Sequence, residues 1–271
     1  MNSDSRCSNK VVCHYTALSN LGSILTRDGI KFWATRYGFL DDRLEFIWAN
    51  QVIIPKLRSI AETYGEIFDP KHSLHPYIVS FTDLEDDLTM WRLFGNNGKG
   101  VCLSLDMNEI DIRKGAVAHM TVVYADESNI MDRIECAHRI YQKDYANESV
   151  AEEYREIAAF IKHDNYEVEN EYRLVKFVAE GFTMTYNPAK KDLCKRKDFK
   201  ELSDEIKFRQ RGDMLIPYIE ITLPCKALKR ITIGNDCDYE QAKAAIELLA
   251  DLHGYDVEII RSSINKFCKE I

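Results

Sequence analysis

Two carboxylates lie two positions apart in the segment ENEYR, which runs from Glu169 to Arg173. If an extended strand begins by Val168, then Glu169, Glu171 and Arg173 share one face, because side chains alternate along a strand. The two carboxylates would then lie about 7 Å apart. Such a pair suits an oxocarbenium-like transition state, in which one carboxylate stabilises positive charge and the other activates a nucleophile. The alternative is a charged edge strand with Glu171 and Arg173 paired at the surface.

A second candidate is the end of the strand expected from Lys10 to Thr16, where His14, Tyr15 and Thr16 follow one another. Alternation puts His14 and Thr16 on one face and Tyr15 on the other. An imidazole and a hydroxyl on one face can contact a ribose and an amide. The alternative is a half-buried histidine with a backbone partner.

A third candidate is the end of the strand expected from Pro76 to Thr82, where Ser80, Phe81 and Thr82 precede a short helix with Trp91. Two hydroxyls that flank an aromatic ring can line a polar pocket with an apolar wall. The alternative is strand termination before a helix cap, because an aromatic residue at helical spacing is typical of a core.

Acidic residues at Asp42 and Glu45 offer a fourth candidate, a metal site that a nuclease would complete with Glu171. A helix N-terminus is the simpler interpretation, since its dipole favours acidic residues. His72 and His75 have no third ligand nearby, so no metal is predicted.

Composition bounds these hypotheses. A chain of 271 residues, 45% hydrophobic and 30% charged, predicts one globular domain over residues 1–271. The net charge of −8 disfavours broad, non-specific binding to nucleic acid. The basic run from Lys190 to Lys200 is either a solvated loop or a place for a phosphate-bearing ligand. No long apolar stretch or secretion signal is apparent, so we expect a cytoplasmic protein without a membrane partner.

Strand-like and helical patterns alternate irregularly along the chain. Strands are expected at Lys10–Thr16, Ile30–Thr35, Pro76–Thr82, Val101–Leu105, Val117–Tyr124, Tyr172–Ala179, Leu215–Leu223, Arg230–Ile233 and Asp256–Ile260. Helices are expected from Thr16 or Ser19 to Gly29, Asp41–Tyr64 with a break at Pro55, Asp86–Gly95, Ser128–His163, Ser203–Arg209 and Asp238–Gly254. This order predicts an α+β fold with mixed or antiparallel sheets and surrounding helices.

Taken together, the motifs resemble the prokaryotic DUF2971 family, which has no established activity. The segments that carry the resemblance are HYT, FWAT, LDDRLE, SFT, DDLTMWRLFG, KGVCLSL, ENEYRLV and ITIG. They occur in order over nearly the whole chain. At Asp41 and Arg43 the sequence departs from the family's usual Asn-Asp-Pro, which leaves the role of Asp42 open.

The order of a first-strand histidine, Ser-x-Thr and Glu-x-Glu is also similar to the ADP-ribosyltransferases. That resemblance implies an ADP-ribosyltransferase-like core that uses NAD as its substrate. Carried over, His14 and Thr16 hold NAD, Ser80 and Thr82 line the nicotinamide pocket, and Glu171 stabilises the oxocarbenium ion.

The same resemblance implies that Glu169 activates the acceptor. We expect Tyr15, Phe81, Trp91 and Arg173 to complete the NAD site.

These observations lead to three hypotheses. The first is an NAD-dependent ADP-ribosyltransferase or NAD glycohydrolase, with a protein or nucleic-acid acceptor, acting as a toxin or in phage defence. The second is a non-catalytic nucleotide- or partner-binding module on the same fold. The third is a metal-dependent nuclease.

Overall fold

The computed structural model describes residues 10–64, 74–110, 117–142, 150–179, 184–187, 192–195 and 206–264. The strands are β1 Val11–Ala17, β2 Leu25–Thr26, β3 Gly29–Arg36, β4 Leu74–Thr82, β5 Gly100–Asp106, β6 Val117–Thr121, β7 Val123–Ala125, β8 Ile161–His163, β9 Glu171–Ala179, β10 Met184–Asn187, β11 Asp192–Lys195, β12 Lys207–Arg211, β13 Met214–Leu223, β14 Leu228–Ile233 and β15 Glu258–Arg261. The helices are α1 Leu21–Ile24, α2 Arg43–Trp48, α3 Ile54–Thr63, α4 Leu88–Leu93, α5 Ile130–Tyr141, α6 Val150–Ile157 and α7 Tyr239–His253.

Eleven strands form one mixed sheet, which confirms the predicted sheet type. Its main path is β12-β13-β3-β4-β1-β5-β14-β15, with β9 on β4, β6 on β9 and β2 on β3. The β14–β15 pair is parallel, and the other pairs in this sheet are antiparallel. Helices surround the sheet, as predicted. The ADP-ribosyltransferase-like core stays a prediction.

The sheet forks at β4. One edge of β4 pairs with β9 along its whole length. The other edge is shared, because β3 pairs with it at Tyr77 and Ile78 whereas β1 pairs with it at Thr82. Strands β1 and β3 therefore diverge, and an opening lies between them beside residues 79–81.

Apolar side chains pack on both faces of this sheet. On one face, β1, β3, β5, β13 and β14 pack with α7. On the other face, β6 and β9 pack with α3, α5 and α6. A smaller cluster joins β1 and β5 to α4 through Tyr15 and Trp91. In α7, the Asp238 side chain accepts the Gln241 N–H and Gly254 ends the helix at φ 78°, as the sequence predicts.

The predicted helix break near Pro55 is confirmed. Residues Ala49–Ile53 form a π-helical turn between α2 and α3, and Pro55 lies in the first turn of α3. Proline is tolerated there because the first N–H groups of a helix have no partner in that helix.

Two predicted helices are wrong where strands form. The expected helix Ser128–His163 ends before Ile161–His163, which pairs with β7 as β8. The expected helix Ser203–Arg209 is replaced over Lys207–Arg211 by β12, which pairs with β13 across a turn at Gly212. Pairing with a neighbouring strand overrides the local pattern in both segments. Residues 203–205 lie outside the described residues.

The first predicted helix is also shorter than expected. Leu25 already belongs to β2, which turns back into β3 at Gly29. Gly29 has φ 138°, and a Cβ there would lie 2.3 Å from the Leu223 carbonyl oxygen. Only glycine fits this turn.

Leu88, in the first turn of α4, and Phe94, the residue after its last turn, are exposed. Trp91 is buried, which agrees with the alternative of a core residue.

Candidate functional site

A cleft of about 620 Å³ opens at the fork in the sheet. Side chains from β1, β3, β4, β9 and β12 contribute to its wall, together with Glu45 of α2 and Lys162 of β8. Nine of the ten predicted site residues line it, namely His14, Tyr15, Thr16, Ser80, Phe81, Thr82, Glu169, Glu171 and Arg173. Trp91 does not. The predicted motifs therefore converge in space although they are distant in sequence.

Arg173 is the most buried charged group of the cleft, with 0% exposure. Its Nε donates to Glu171 Oε1 at 2.7 Å, and its Nη2 donates to Glu171 Oε2 at 2.9 Å. Nη2 also donates to Glu45 Oε1 at 2.6 Å, and Nη1 donates to the Ala159 carbonyl at 2.8 Å. The expected Glu171–Arg173 pair thus forms inside the protein, because β9 lies between β4 and β6.

Lys162 joins the carboxylates of this network. Its Nζ lies 2.8 Å from Glu169 Oε2, 3.1 Å from Glu171 Oε2 and 3.5 Å from Glu45 Oε2. The side chain of Lys162 is 6% exposed and that of Glu169 is 20% exposed. The two carboxylates predicted to work together therefore share one ammonium group, and Glu169 is the one with more access to solvent.

The condition that an extended strand begins by Val168 is not met, whereas the strand expected at Tyr172–Ala179 forms as β9. Residues Asp164–Glu169 form a 3₁₀ segment, and Asn170 has a left-handed backbone with φ 41°. The strand starts at Glu171, so Glu169 reaches the network from a turn rather than from an alternating strand face. The turn is held by the Thr82 hydroxyl, which donates to the Glu169 carbonyl at 2.6 Å.

The environments of the two carboxylates shift their pKa values in opposite directions. Burial alone raises the pKa of Glu171, but Arg173 and Lys162, with hydrogen bonds from Arg173 and Ser80, outweigh it and lower that pKa to about 2. Burial raises the pKa of Glu169 against the opposing charge of Lys162. Glu171 is therefore ionised at neutral pH, whereas Glu169 is the carboxylate better placed to exchange a proton.

His14 lies at the mouth of the fork with a backbone partner. Its Nδ1–H donates to the Ser80 carbonyl at 3.0 Å. Its ring makes edge contacts with Phe32 and Phe81, with centroids 4.9 Å and 5.6 Å away. Burial lowers the pKa of His14, against the effect of the Ser80 hydrogen bond, so the neutral ring keeps Nε2 as an acceptor.

Alternation along β4 divides its cleft residues between the two faces of the sheet. Ser80 and Thr82 pair with Arg173 and Glu171 of β9 and share their face. Phe81 points the other way, toward the face that His14 packs on. The cleft therefore receives aromatic groups from one face and the charged network from the other.

Tyr15 and Trp91 form a packed pair. Their ring centroids are 4.9 Å apart in an edge-on arrangement. The Tyr15 hydroxyl donates to the Leu84 carbonyl at 2.9 Å and accepts from the Asp87 N–H at 3.0 Å. Trp91 Nε1 donates to Asp86 at 2.8 Å. Both side chains thus fix the loop between β4 and α4, and Tyr15 points away from His14, as predicted.

Residues 90–174 match the family model described as protein of unknown function (DUF2971). This match supports the resemblance to that family over the segment that holds Lys162, Glu169, Glu171 and Arg173. No likeness to ADP-ribosyltransferases is found. No curated protein and no solved structure matches the chain.

The DUF2971 match leaves out β1, β3, β4 and β12, which supply the remaining walls of the cleft. Among these walls lie residues that the sequence interpretation missed. They are Lys31, Trp33, Arg209 and Arg211, and from within the matched segment Lys162. The basic residues at every second position of KFRQR indicate a strand with one basic face, so Arg209 and Arg211 could have been found from the sequence. Lys162 could not, because its partners are set by the tertiary structure.

Asp42 has a structural role at the start of α2. Its Oδ1 accepts the Leu44 N–H at 2.7 Å, and its Oδ2 accepts from the Tyr166 hydroxyl. Glu45 and Glu171 contact the cations Arg173 and Lys162 instead. The described ranges contain no group of three or more His, Cys, Asp or Glu residues that could hold a metal ion. The same part of the chain has no helix long and apolar enough to cross a membrane.

Proposed function

We propose that the protein is an NAD-dependent ADP-ribosyltransferase or NAD glycohydrolase. One observation carries the proposal: Glu169 and Glu171 meet at Lys162 inside a cleft, and their pKa values shift in opposite directions. Two carboxylates separated in this way suit the cleavage of a glycosidic bond. The substrate, NAD, follows from the resemblance of the three motifs to the ADP-ribosyltransferases.

In the proposed reaction, the bond between the nicotinamide nitrogen and ribose C1′ breaks, and nicotinamide leaves with the bonding electron pair. The ribose becomes an oxocarbenium ion, which the anionic Glu171 stabilises. An acceptor nucleophile or water then attacks C1′ and gives its proton to Glu169. Because burial raises the pKa of Glu169, this carboxylate binds a proton more readily than an exposed glutamate.

The remaining groups of the cleft suit a nucleoside. Its volume of about 620 Å³ falls within the range of small-molecule sites. His14, Phe32 and Phe81 present an aromatic wall with one nitrogen acceptor, Nε2 of His14. The Ser80 hydroxyl contacts Glu171 and keeps its carboxylate in place. The proposed acceptor is a protein or a nucleic acid. The proposed biological role is that of a toxin or a phage-defence effector.

The test is incubation of the purified protein with NAD, with free nicotinamide followed by chromatography. Glu171→Gln keeps the shape of the side chain but removes its charge. We expect the wild type to release nicotinamide and the variant to lose at least about a hundredfold in rate, as the removal of one electrostatic stabiliser gives. Circular dichroism checks that the variant is folded. A variant that releases nicotinamide at the wild-type rate refutes the assignment.

The binding module is a second candidate, and one observation favours it. Both oxygens of Glu171 are already bonded to Arg173, and Lys162 lies within 3.1 Å. A carboxylate so fully neutralised also serves as a structural group. Saturable NAD binding by calorimetry, with no products and no change in Glu171→Gln, would select this alternative.

A further inference from the structure

The two ends of the cleft differ in charge. One end holds Glu45, Glu169 and Glu171 with the cations Arg173 and Lys162. The other end, built by β3 and β12, carries three basic side chains beside Trp33: Lys31, which pairs with Glu220 at 3.3 Å, Arg211, which contacts Asp41, and Arg209. The three basic side chains run against the net charge of the chain, which is −8.

Arg209 is half-buried at this end. Its Nη2 donates to the Thr35 hydroxyl at 2.9 Å, and its guanidinium lies 5.5 Å from the centroid of the Trp33 ring. Within the described ranges no carboxylate lies at ion-pair distance from Arg209. Burial lowers the pKa of Arg209, and Arg211 lowers it further against the weaker effect of Asp41. A half-buried cation beside a second cation is stabilised by an anion that enters the cleft.

Arg211 is held toward the cleft by the protein. Its Nη2 donates to the Phe39 carbonyl at 3.0 Å, and its Nη1 contacts Asp41. The Asp41 side chain is 88% exposed, so water screens this pair strongly. Arg209 and Arg211 are two positions apart on β12 and therefore share a face of the strand. Their two guanidinium groups, each able to donate several hydrogen bonds, lie side by side.

Trp33 gives the basic end an aromatic surface. The residue is 40% exposed, and its ring packs against Tyr218 at a centroid distance of 4.8 Å. An exposed indole fixed by a neighbouring ring provides a stacking surface for a planar base. A base with phosphates attached therefore complements this end of the cleft in both shape and charge.

We propose that Arg209 and Arg211 form the subsite for the diphosphate of a dinucleotide, with the adenine on Trp33. The inference rests on the proposed function, since it places the cationic nicotinamide end near Glu171 and the anionic diphosphate at β12. The basic run Lys190–Lys200, which the sequence left open as a solvated loop or a place for a phosphate-bearing ligand, is not part of this subsite, and most of it lies outside the described residues.

The test measures the binding of ADP-ribose, which has the diphosphate but no nicotinamide bond to cleave, by titration calorimetry. Arg209→Gln is expected to raise the Kd for ADP-ribose by at least about tenfold, the effect of losing a charge-assisted contact. Arg230→Gln is the matched control, because Arg230 lies on β14, does not line the cleft, and pairs with Glu258 at 2.6 Å and with Glu85 at 2.8 Å. We expect its Kd to stay within about twofold of wild type.

Inorganic pyrophosphate and adenosine separate the two halves of the ligand. Pyrophosphate is expected to displace ADP-ribose from the wild type, and adenosine is expected to bind more weakly than ADP-ribose. If Arg209→Gln does not fold, Arg211→Gln provides the same comparison. The subsite is refuted if wild type does not bind ADP-ribose, if the folded arginine variant keeps the wild-type Kd, or if adenosine binds as tightly as ADP-ribose.

Failure of this proposal is distinguishable from failure of the proposed function. If ADP-ribose binding depends on Arg209 while no nicotinamide is released from NAD, the diphosphate subsite is supported and the proposed cleavage of NAD is refuted. If nicotinamide is released in a Glu171-dependent reaction while Arg209→Gln has no effect on ADP-ribose binding, the proposed cleavage of NAD is supported and the diphosphate subsite is refuted.

Discussion

The hydrogen bonds between Glu171, Arg173 and Lys162 explain why buried charges are tolerated in this cleft. Removing a carboxylate from water costs several kcal/mol, and only close, hydrogen-bonded partners offset that cost. Arg173 provides two such bonds and Lys162 a third. Since the pKa of Glu171 falls to about 2, the network keeps the group ionised at every physiological pH.

Because of this low pKa, the stability of the fold depends on pH. A carboxyl group whose folded pKa lies below its ordinary value of 4.5 stabilises the fold above pH 4.5 and loses that contribution as the pH falls toward 2. We expect the free energy of unfolding, from urea titrations, to fall more steeply between these pH values in wild type than in Glu171→Gln. Parallel curves for the two proteins would contradict the pairing.

At the scale of elements, side chains alternate between the two faces of β1, so the adjacent residues His14 and Tyr15 have different surroundings. His14 packs on Phe32 and Phe81 at the cleft, and Tyr15 packs on Trp91 with its hydroxyl bonded to Leu84 and Asp87. The same strand thus presents a side chain of the proposed NAD site and a side chain of the packed pair with Trp91 one residue apart.

His14→Phe and Tyr15→Phe test this separation. The first keeps an aromatic ring on Phe32 but removes both nitrogens, so we expect a higher KM for NAD with little change in Tm. The second leaves the Leu84 and Asp87 groups without the hydroxyl, so we expect a loss of about 1 kcal/mol in stability with KM unchanged. Steady-state kinetics and thermal unfolding measure both effects. The reverse pattern, with KM raised only by Tyr15→Phe, would overturn the assignment of faces.

Much of the sheet could be predicted because its strands carry long apolar or alternating patterns. The predictions for β1, β3, β4, β9 and β13 hold to within a few residues, and the capping signals of α7 gave both of its ends. Strands β8 and β12 were assigned to helices because they are short and depend on the strands beside them. Short segments take their structure from such pairing more than from propensity.

The site was predictable only in part, for a related reason. His14, Ser80 and Glu171 could be found because each belongs to a motif at the end of a recognisable strand. Glu45 and Lys162 join the network from other elements, and nothing in their own sequence context indicates that they are buried. The burial of Arg173 could not be predicted, and surface pairing was open as the alternative, since the sequence does not reveal that β6 covers the second edge of β9.

On the scale of the whole molecule, the segment matched by the family model is not a structural unit. Residues 90–174 include β5, β6 and most of the charged part of the site. However, β5 pairs with β1 and β14, and β9 pairs with β4, all of which lie outside that segment. The cleft therefore requires strands from both sides of the matched region.

A fragment of residues 90–174 is expected not to fold alone. It would expose the edges of β5 and β9 and the apolar faces that the missing strands cover. Near-UV circular dichroism and thermal unfolding, with the full chain as control, measure this directly. We expect the fragment to lack both a near-UV signal and a cooperative transition, whereas a cooperative transition would mean that the segment is independent.

The central claim is that Glu171 and Glu169 divide the chemistry of one glycosidic cleavage. Its most direct test is the initial rate of nicotinamide release from NAD at pH 7 for Glu171→Gln and Glu169→Gln beside wild type. Glu167→Gln is the control, since Glu167 is exposed on the same 3₁₀ segment as Glu169. We predict a loss of at least about a hundredfold for Glu171→Gln, a smaller loss for Glu169→Gln and none for the control. A wild-type rate in Glu171→Gln would contradict the account.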